Sequence, residues 1–121
     1  MFKVIEDPQF VHDVPVEVPD GDGWRTEMLR TRFRALAVSE MKAIDEAEGE
    51  SLGILLDRIV VSFEDLADAD GKPLPGDGEW RARLLEYPFV RAALIRGYYA
   101  AQTGTRLGNS GPSAAPGRGA S

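Results

Sequence analysis

Few residues in this chain have side chains that could carry out chemistry. His12 is the only histidine, and with no cysteine in the chain an imidazole metal site lacks further ligands. No serine stands in a G-x-S-x-G turn, so a serine nucleophile has no sequence support. His12 is therefore interpreted as a structural strand residue, although its pairing with a distant carboxylate stays open at this point.

An acidic loop from Asp68 to Gly78 invites comparison with calcium-binding loops. When Gly71 is aligned with the invariant glycine of an EF-hand, Leu66 takes the first ligand position, where Asp is required, and Asp77 replaces the final Glu. The loop is predicted to be a solvated turn, and no metal is expected. The chain's glycines match neither nucleotide-binding pattern, so no cofactor and no enzymatic activity are expected either.

Basic residues alternate along one predicted strand, so that Arg30, Arg32 and Arg34 share a face. This face could bind phosphates or an acidic protein surface. The alternative is a solvated outer face that Asp13 partly neutralises. Phe33 points the other way and no aromatic side chain is interleaved to stack on bases, so nucleic-acid binding is the secondary hypothesis.

Near the end of the predicted helical region lie Arg91, Arg96, Tyr98 and Tyr99. Tyr and Arg are favoured at protein interfaces because they combine a large contact area with hydrogen-bonding tips. These four residues, with the arginine strand, are the candidate partner-binding residues. Either tyrosine could be the buried one, because the sequence does not distinguish a core position from an interface position.

Residues 1–37 alternate as strands do, with Val14, Val16 and Val18 on one face. The Pro-Asp-Gly-Asp-Gly run at 19–23 predicts a hairpin turn, and a second strand follows to about residue 36. Matching apolar and charged partners predicts four opposed pairs: Pro19 with Trp24, Val14 with Leu29, Phe10 with Phe33, and Asp13 with Arg30. Because Pro15 has no N–H to donate, it predicts an edge position or a bulge.

Residues 38–103 are predicted to be helical. Ser39 is expected to cap a helix that runs to Glu48, and Ser51 to cap a second. The second helix carries a stripe at helical spacing, made of Leu52, Leu55, Leu56, Ile59, Val60 and Phe63.

After the acidic loop, a short helix is expected from Glu79 to Tyr87. It should bury Trp80, Leu84 and Tyr87. A last helix should open at Pro88 and run to about Thr103, before Gly104. One side of it carries Val90, Ala93, Leu94, Gly97 and Ala101.

The predicted fold class is α+β, with an N-terminal antiparallel hairpin or small sheet packed on three or four helices in a single domain over residues 1–104. Residues 105–121 are rich in Gly, Ser, Ala and Pro and are predicted to form a disordered tail. The chain has 20 acidic and 14 basic residues, which disfavours general nucleic-acid affinity. With no apolar run of membrane-spanning length, a soluble cytoplasmic protein without a membrane partner is expected.

Several segments, taken in order, resemble the phage tail assembly chaperone family. They include Phe2-Lys3-Val4 with Glu6-Asp7-Pro8, the run from Val14 to Val18 before the turn, Phe33-Arg34-Ala35-Leu36, Val60-Val61-Ser62-Phe63-Glu64-Asp65-Leu66, Asp70-Gly71-Lys72-Pro73-Leu74-Pro75, and Tyr87-Pro88-Phe89-Val90-Arg91-Ala92-Ala93-Leu94 before Tyr98-Tyr99. The order and spacing of these segments cover about residues 1–104.

The resemblance implies a non-catalytic protein of a long-tailed bacteriophage or prophage. It would act during virion morphogenesis in the cytoplasm of the bacterial host and be absent from the mature virion. Its partners would be the tape-measure protein and the tail-tube protein, both reached through protein–protein interaction. The family often makes a longer product by ribosomal frameshifting near the end, which residues 108–110 and the tail after them would suit. No contact residue is transferred by the resemblance.

Overall fold

A computed structural model describes residues 1–47 and 49–103, and it confirms the α+β class. The predicted tail at 105–121 and the predicted boundaries at Glu48 and Gly104 lie outside the described residues. The elements, in chain order, are β1 (Gln9–Asp20), β2 (Gly23–Arg34), α1 (Val38–Glu46), α2 (Ser51–Ile59), β3 (Val60–Glu64), β4 (Leu66–Ala67), β5 (Pro73–Leu74), α3 (Glu79–Leu84) and α4 (Pro88–Gln102).

The β1–β2 hairpin has the register predicted from the sequence, including all four opposed pairs. Its turn holds two residues, and Gly21 adopts a positive φ of 65°, which glycine accepts without a Cβ penalty. Asp20 and Gly23 close this turn, so that residues on each strand alternate between hydrogen-bonded and non-hydrogen-bonded pairs. Pro15 opposes Met28 in a non-hydrogen-bonded pair. Its missing N–H therefore costs the ladder nothing.

The prediction of one helix through Phe63 is wrong, because α2 ends at Ile59 and the next residues form β3. β3 pairs antiparallel with β2, opposing Arg30 with Glu64 across the ladder. Val60 and Val61 are β-branched and favour extended backbone. Val60 lies opposite Phe33 of β2 after a register shift that skips Val61. Its N–H donates to the Leu56 carbonyl at the end of α2, and its own carbonyl accepts from Arg81. The region 38–103 is consequently not all helical, since it also contains β4 and β5.

Three smaller predictions also differ from the structure. The N-cap of α1 is Ala37 rather than Ser39, with the Glu40 carboxylate accepting a hydrogen bond from the Ala37 N–H at 3.2 Å. Glu50 rather than Ser51 precedes α2. The predicted loop at 68–78 contains β5, which pairs with β4.

Helix α3 ends at Leu84, earlier than predicted, and Tyr87 is exposed rather than buried. Trp80 and Leu84 are only half-buried. Leu52, which the helical stripe placed in the core, is also exposed. Tyr87 is the N-cap of α4, and its carbonyl accepts hydrogen bonds from the Val90 and Arg91 N–H groups. These bonds fix its backbone at the start of the helix, while its side chain is exposed to solvent.

The core lies between the sheet and helices α2 and α4, with α4 packed along β1. The predicted inner side of α4 is confirmed, since Val90, Ala93, Leu94 and Gly97 are buried. Ala101 is half-buried. Within the described residues, no helix is both long and apolar enough to cross a membrane.

Candidate partner-binding surface

Two arginines of β2 are neutralised by carboxylates on the neighbouring strands. Arg30 Nη1 donates to Asp13 Oδ1 of β1 at 3.2 Å, the pair predicted from the sequence. Arg32 Nε donates to Glu64 Oε2 of β3 at 2.9 Å. The Glu64 partner was not predicted, because the sequence predicts the end of a helix at this residue rather than a third strand.

Arg34, the third arginine of this face, is anchored by the segment that enters β1. Arg34 Nε donates to Asp7 Oδ1 at 2.7 Å, and Arg34 Nη1 donates to the Arg58 carbonyl at 2.9 Å. The hydrogen bond from Arg34 holds the pKa of the Asp7 carboxyl below its usual range. The guanidinium groups of Arg30, Arg32 and Arg34 are thus all engaged by groups of this chain, which makes the arginine face an ion-pair surface.

Of the two tyrosines on α4, Tyr98 is the core residue. Its ring is fully buried, and its hydroxyl donates to the Arg34 carbonyl at 3.0 Å. The same oxygen accepts from the Leu36 N–H at 3.0 Å and from Gln102 Nε2 at 3.2 Å. Tyr98 is therefore unsuited to direct contact with a partner. Tyr99, 42 % exposed, takes the outer position.

The two arginines of α4 differ in their surroundings. Arg91 Nη1 pairs with Glu50 Oε1 at 2.5 Å, while Arg91 Nε is buried and has no hydrogen-bond partner among the described residues. Arg96 is exposed, and no ion pair involves it in the part of the chain that the structure describes. Of the four α4 candidates, Arg96 and Tyr99 are exposed, Arg91 is half-buried and Tyr98 is buried.

Arg96 lies beside the hairpin, where an open groove of about 450 Å³ separates the outer part of β1 and β2 from α4. We call it the arm–helix groove, where the arm is the β1–β2 hairpin and the helix is α4. It is lined by Glu17, Trp24, Phe89, Ala92 and Arg96. Its lining is mostly apolar, with one acidic and one basic side chain.

Trp24 is the functional candidate that the sequence reasoning missed. Its indole is 64 % exposed although tryptophan is a large apolar side chain. A signal was available: Trp24 shares its strand parity with Arg30 and the other arginines, and that parity predicts the outer face. An aromatic side chain at an outward position is typical of an interface.

His12 lies on β1 and is half-buried in a shallow depression that also includes Pro15, Glu17 and Arg96. No group of three or more His, Asp or Glu side chains could hold a metal ion within residues 1–47 and 49–103. In the acidic loop, Asp68 Oδ1 accepts from the Asp70 and Lys72 N–H groups, both at 2.9 Å. That carboxylate is used to shape its own turn.

Comparisons with protein-family models, with curated proteins and with solved structures gave no match to this chain. The residues of this chain and the geometry of the arm–helix groove are therefore the basis for inferring a function.

Proposed function

We propose that this protein is a non-catalytic chaperone that covers an apolar stripe on a helical partner, in the manner of a phage tail assembly chaperone. The observation that carries the proposal is the exposed indole of Trp24 at the arm–helix groove. The partner is the tape-measure protein, and tail-tube subunits take over its surface as the tail grows. The site of action is the cytoplasm of the bacterial host, and the finished virion does not retain the chaperone.

The chemistry of the groove suits an amphipathic helix. Phe89 and Ala92 line the groove from α4, and Trp24 lines it from β2. Glu17 and Arg96 supply charges of both signs, which would orient charged residues flanking an apolar stripe. Helix-in-groove recognition uses this combination of apolar anchors and polar edges.

The size and openness of the groove favour weak binding by each copy. A long helical protein with an uncovered apolar stripe is prone to aggregate, and many weakly bound copies would keep it soluble. Weak contacts also permit release when tube subunits polymerise. The net charge of −6 keeps free copies dispersed before they meet the partner.

The test is co-expression with a tape-measure protein of a long-tailed phage, scored by the solubility and co-purification of that protein. The chain has two tryptophans, so Trp80→Phe leaves Trp24 as the only indole reporter. Binding at the groove should shift the Trp24 emission to the blue. Trp24→Ala should weaken co-purification, whereas Leu52→Ala, which removes an exposed apolar side chain outside the groove, should not.

Two outcomes would overturn the proposal. One is a partner that stays insoluble and unbound while tube subunits are also ignored. The other is unchanged binding by Trp24→Ala. If the protein instead bound DNA with a steep dependence on salt, the secondary hypothesis of a small nucleic-acid-binding regulator would replace it. The engagement of Arg30, Arg32 and Arg34 by this chain's own groups weighs against that hypothesis.

A further inference from the structure

Strand β2 has a partner on the side away from β1 over only part of its length. β3 opposes residues 30–33 of β2, and within the described residues no strand opposes 23–29 on that side. The chain leaves the line of β3 at Asp65, which has a positive φ of 60°. Residues 24–28 of β2 are all exposed, and we call this stretch the free edge.

The backbone groups of the free edge are directed by the turn. Because Asp20 and Gly23 form the closing hydrogen-bonded pair, every second residue of β2 turns its N–H and C=O away from β1. On the free edge these residues are Trp24, Thr26 and Met28. An exposed row of unpaired donors and acceptors is a template for adding a strand.

The side chains of the free edge form two matched pairs, one on each face of the sheet. Trp24 and Met28 lie on the outer face and are 64 % and 62 % exposed. Arg25 and Glu27 lie on the opposite face, where Arg25 Nε donates to Glu27 Oε2 at 2.6 Å. Thr26 is the midpoint of both pairs. A two-fold axis at Thr26 therefore sets each member of a pair opposite its counterpart in a second copy.

From this symmetry we propose that two copies of this chain form a dimer by pairing their free edges antiparallel about Thr26. Trp24 then lies opposite Met28 of the other copy, and Arg25 lies opposite Glu27 of the other copy. The outward N–H and C=O groups of both edges are used at once. The interface is isologous, so the assembly closes at two copies and joins the two hairpins into one continuous sheet. The inference goes beyond the proposed function and does not rest on it.

The charges on the free edge favour an axis at Thr26 over its neighbours. An axis at Arg25 would set this arginine opposite the same arginine of the other copy, and an axis at Glu27 would do the same for the glutamate. Like charges directly opposite each other destabilise a strand pair, whereas opposite charges stabilise it. With the axis at Thr26, both cross-copy charge pairs are attractive.

The length of the free edge selects the same register. An axis at Met28 would run the other copy into β3, which already opposes Arg30. An axis at Trp24 would set Met28 beyond the end of the other strand, at the turn. With the axis at Thr26, Gly23 is the last strand residue of the other copy and falls opposite Leu29, so the added strand stops before β3 begins.

A cleft of about 440 Å³ beside the free edge has the charge that an incoming arginine needs. Glu27, Asp65 and Asp68 line it, together with Leu29, which shares its strand parity with Glu27. The cleft is therefore on the face toward which Arg25 of the other copy points. Since Glu27 is also bonded to Arg25 of its own chain, arginines and glutamates alternate across the interface.

Charge reversal tests this pairing, because it can both abolish and restore the dimer. Arg25→Glu alone, or Glu27→Arg alone, makes both cross-copy pairs repulsive, so the dissociation constant of the homodimer should rise by about tenfold or more. Mixing the two variants makes both pairs attractive again and should give a heterodimer. Light scattering over a concentration series measures the association, with an expected wild-type mass of twice the 13.2 kDa chain. Native mass spectrometry identifies the heterodimer.

Arg83→Glu and Glu79→Arg are the matched controls, since they reverse an exposed ion pair of α3 with the same changes in net charge. Each should dimerise as the wild type does. A wild-type chain that is monomeric throughout the series would overturn the proposal. So would single reversals at Arg25 and Glu27 that dimerise like the wild type, or a mixture of the two without the heterodimer.

A backbone variant provides the second measurement. Thr26→Pro removes an N–H that points away from β1, so the hairpin keeps its ladder while the free edge is obstructed. This variant should be monomeric with an unchanged circular dichroism spectrum, whereas Thr26→Ser should stay dimeric. A dimeric Thr26→Pro chain would contradict the pairing.

The dimer and the proposed function can be tested apart. Arg25, Thr26 and Glu27 do not line the arm–helix groove, so their variants should still co-purify with the tape-measure protein. Trp24 belongs to both surfaces, with β1 and α4 on one side of it and the other copy on the other. Loss of the dimer with co-purification retained supports both proposals, and a dimer that forms without any binding of the tape-measure protein supports the dimer alone.

Discussion

Gly97 of α4 lies directly against Val14 of β1. A Cβ added at Gly97 would come within 2.9 Å of Val14 Cγ2 and 3.2 Å of Val14 Cγ1. Both residues are buried, and Val14 is fully so. Because Gly97 has no side chain, α4 can approach the sheet closely. This close approach places the outer side of α4 next to the hairpin.

Gly97→Ala should destabilise the fold by about 1–3 kcal/mol, because the methyl group overpacks a fully occupied site. The gain of about 1 kcal/mol in helix propensity offsets only part of this cost. Urea denaturation measures the difference. In the background of Val14→Ala the same change should cost much less, since the clashing methyl groups are gone. An equal cost in both backgrounds would contradict the close contact.

The Tyr98 hydroxyl joins α4 to the end of β2 through two hydrogen bonds, and it accepts a third from Gln102 within α4. Tyr98→Phe keeps the ring but leaves the buried Leu36 N–H and Arg34 carbonyl without this partner. We expect a loss of about 1–3 kcal/mol in the free energy of unfolding. Tyr99→Phe is the control, and its effect should be negligible because that side chain is at the surface. Similar losses in both variants would disprove the assignment of core and surface.

The Asp7–Arg34 ion pair should make stability depend on pH. The pKa of Asp7 is lowered in the folded state, chiefly by its hydrogen bond with Arg34, so the folded state favours the ionised carboxylate. The contribution is present above the unfolded-state pKa and is lost as the pH falls through the folded-state pKa. Wild type should thus exceed Asp7→Asn in thermal stability near neutral pH, and the gap should close in acid.

Asp7 is exposed, so added salt should shrink this gap as well. Thermal melts of both variants at two salt concentrations check the point. A gap that persists unchanged in acid would show that Asp7 acts through something other than its charge.

Arg96 and Glu17 are exposed, and both line the arm–helix groove. Rim charges affect the association rate and its salt dependence more than they affect dissociation. On the proposed function, Arg96→Glu should change the association rate constant with a tape-measure helix by roughly tenfold at low salt, and much less at high salt. Stopped-flow fluorescence of Trp24 in the Trp80→Phe background measures both. Arg83→Glu on α3, outside the groove, is the control.

The hairpin was predictable in detail because its information is local. A glycine at the first turn position, alternating valines and one complementary charge pair admit a single register, since a slip of one residue would reverse the strand faces. The inner side of α4 was equally predictable, because a 3.6-residue repeat of apolar positions needs no knowledge of what it packs against.

The end of α2 was not predictable on the same grounds. Val60 and Phe63 fit a helical stripe, and they fit the buried side of a strand as well. The outer edge of β2, more than 25 residues earlier in the chain, decides between the two by offering backbone partners at Arg30 and Arg32.

The candidate surface divides in the same way. The sequence alone determined that Arg30, Arg32 and Arg34 share a face and that tyrosines and arginines gather near the end of the chain. Only the tertiary structure decided that Glu64 and Asp7 neutralise that face, that Tyr98 is buried and that Arg96 meets Trp24 across a groove. The side-chain repeat of a strand or a helix is set by residues that are close together in the sequence. An ion pair or a groove depends on segments that meet only when the whole chain has folded.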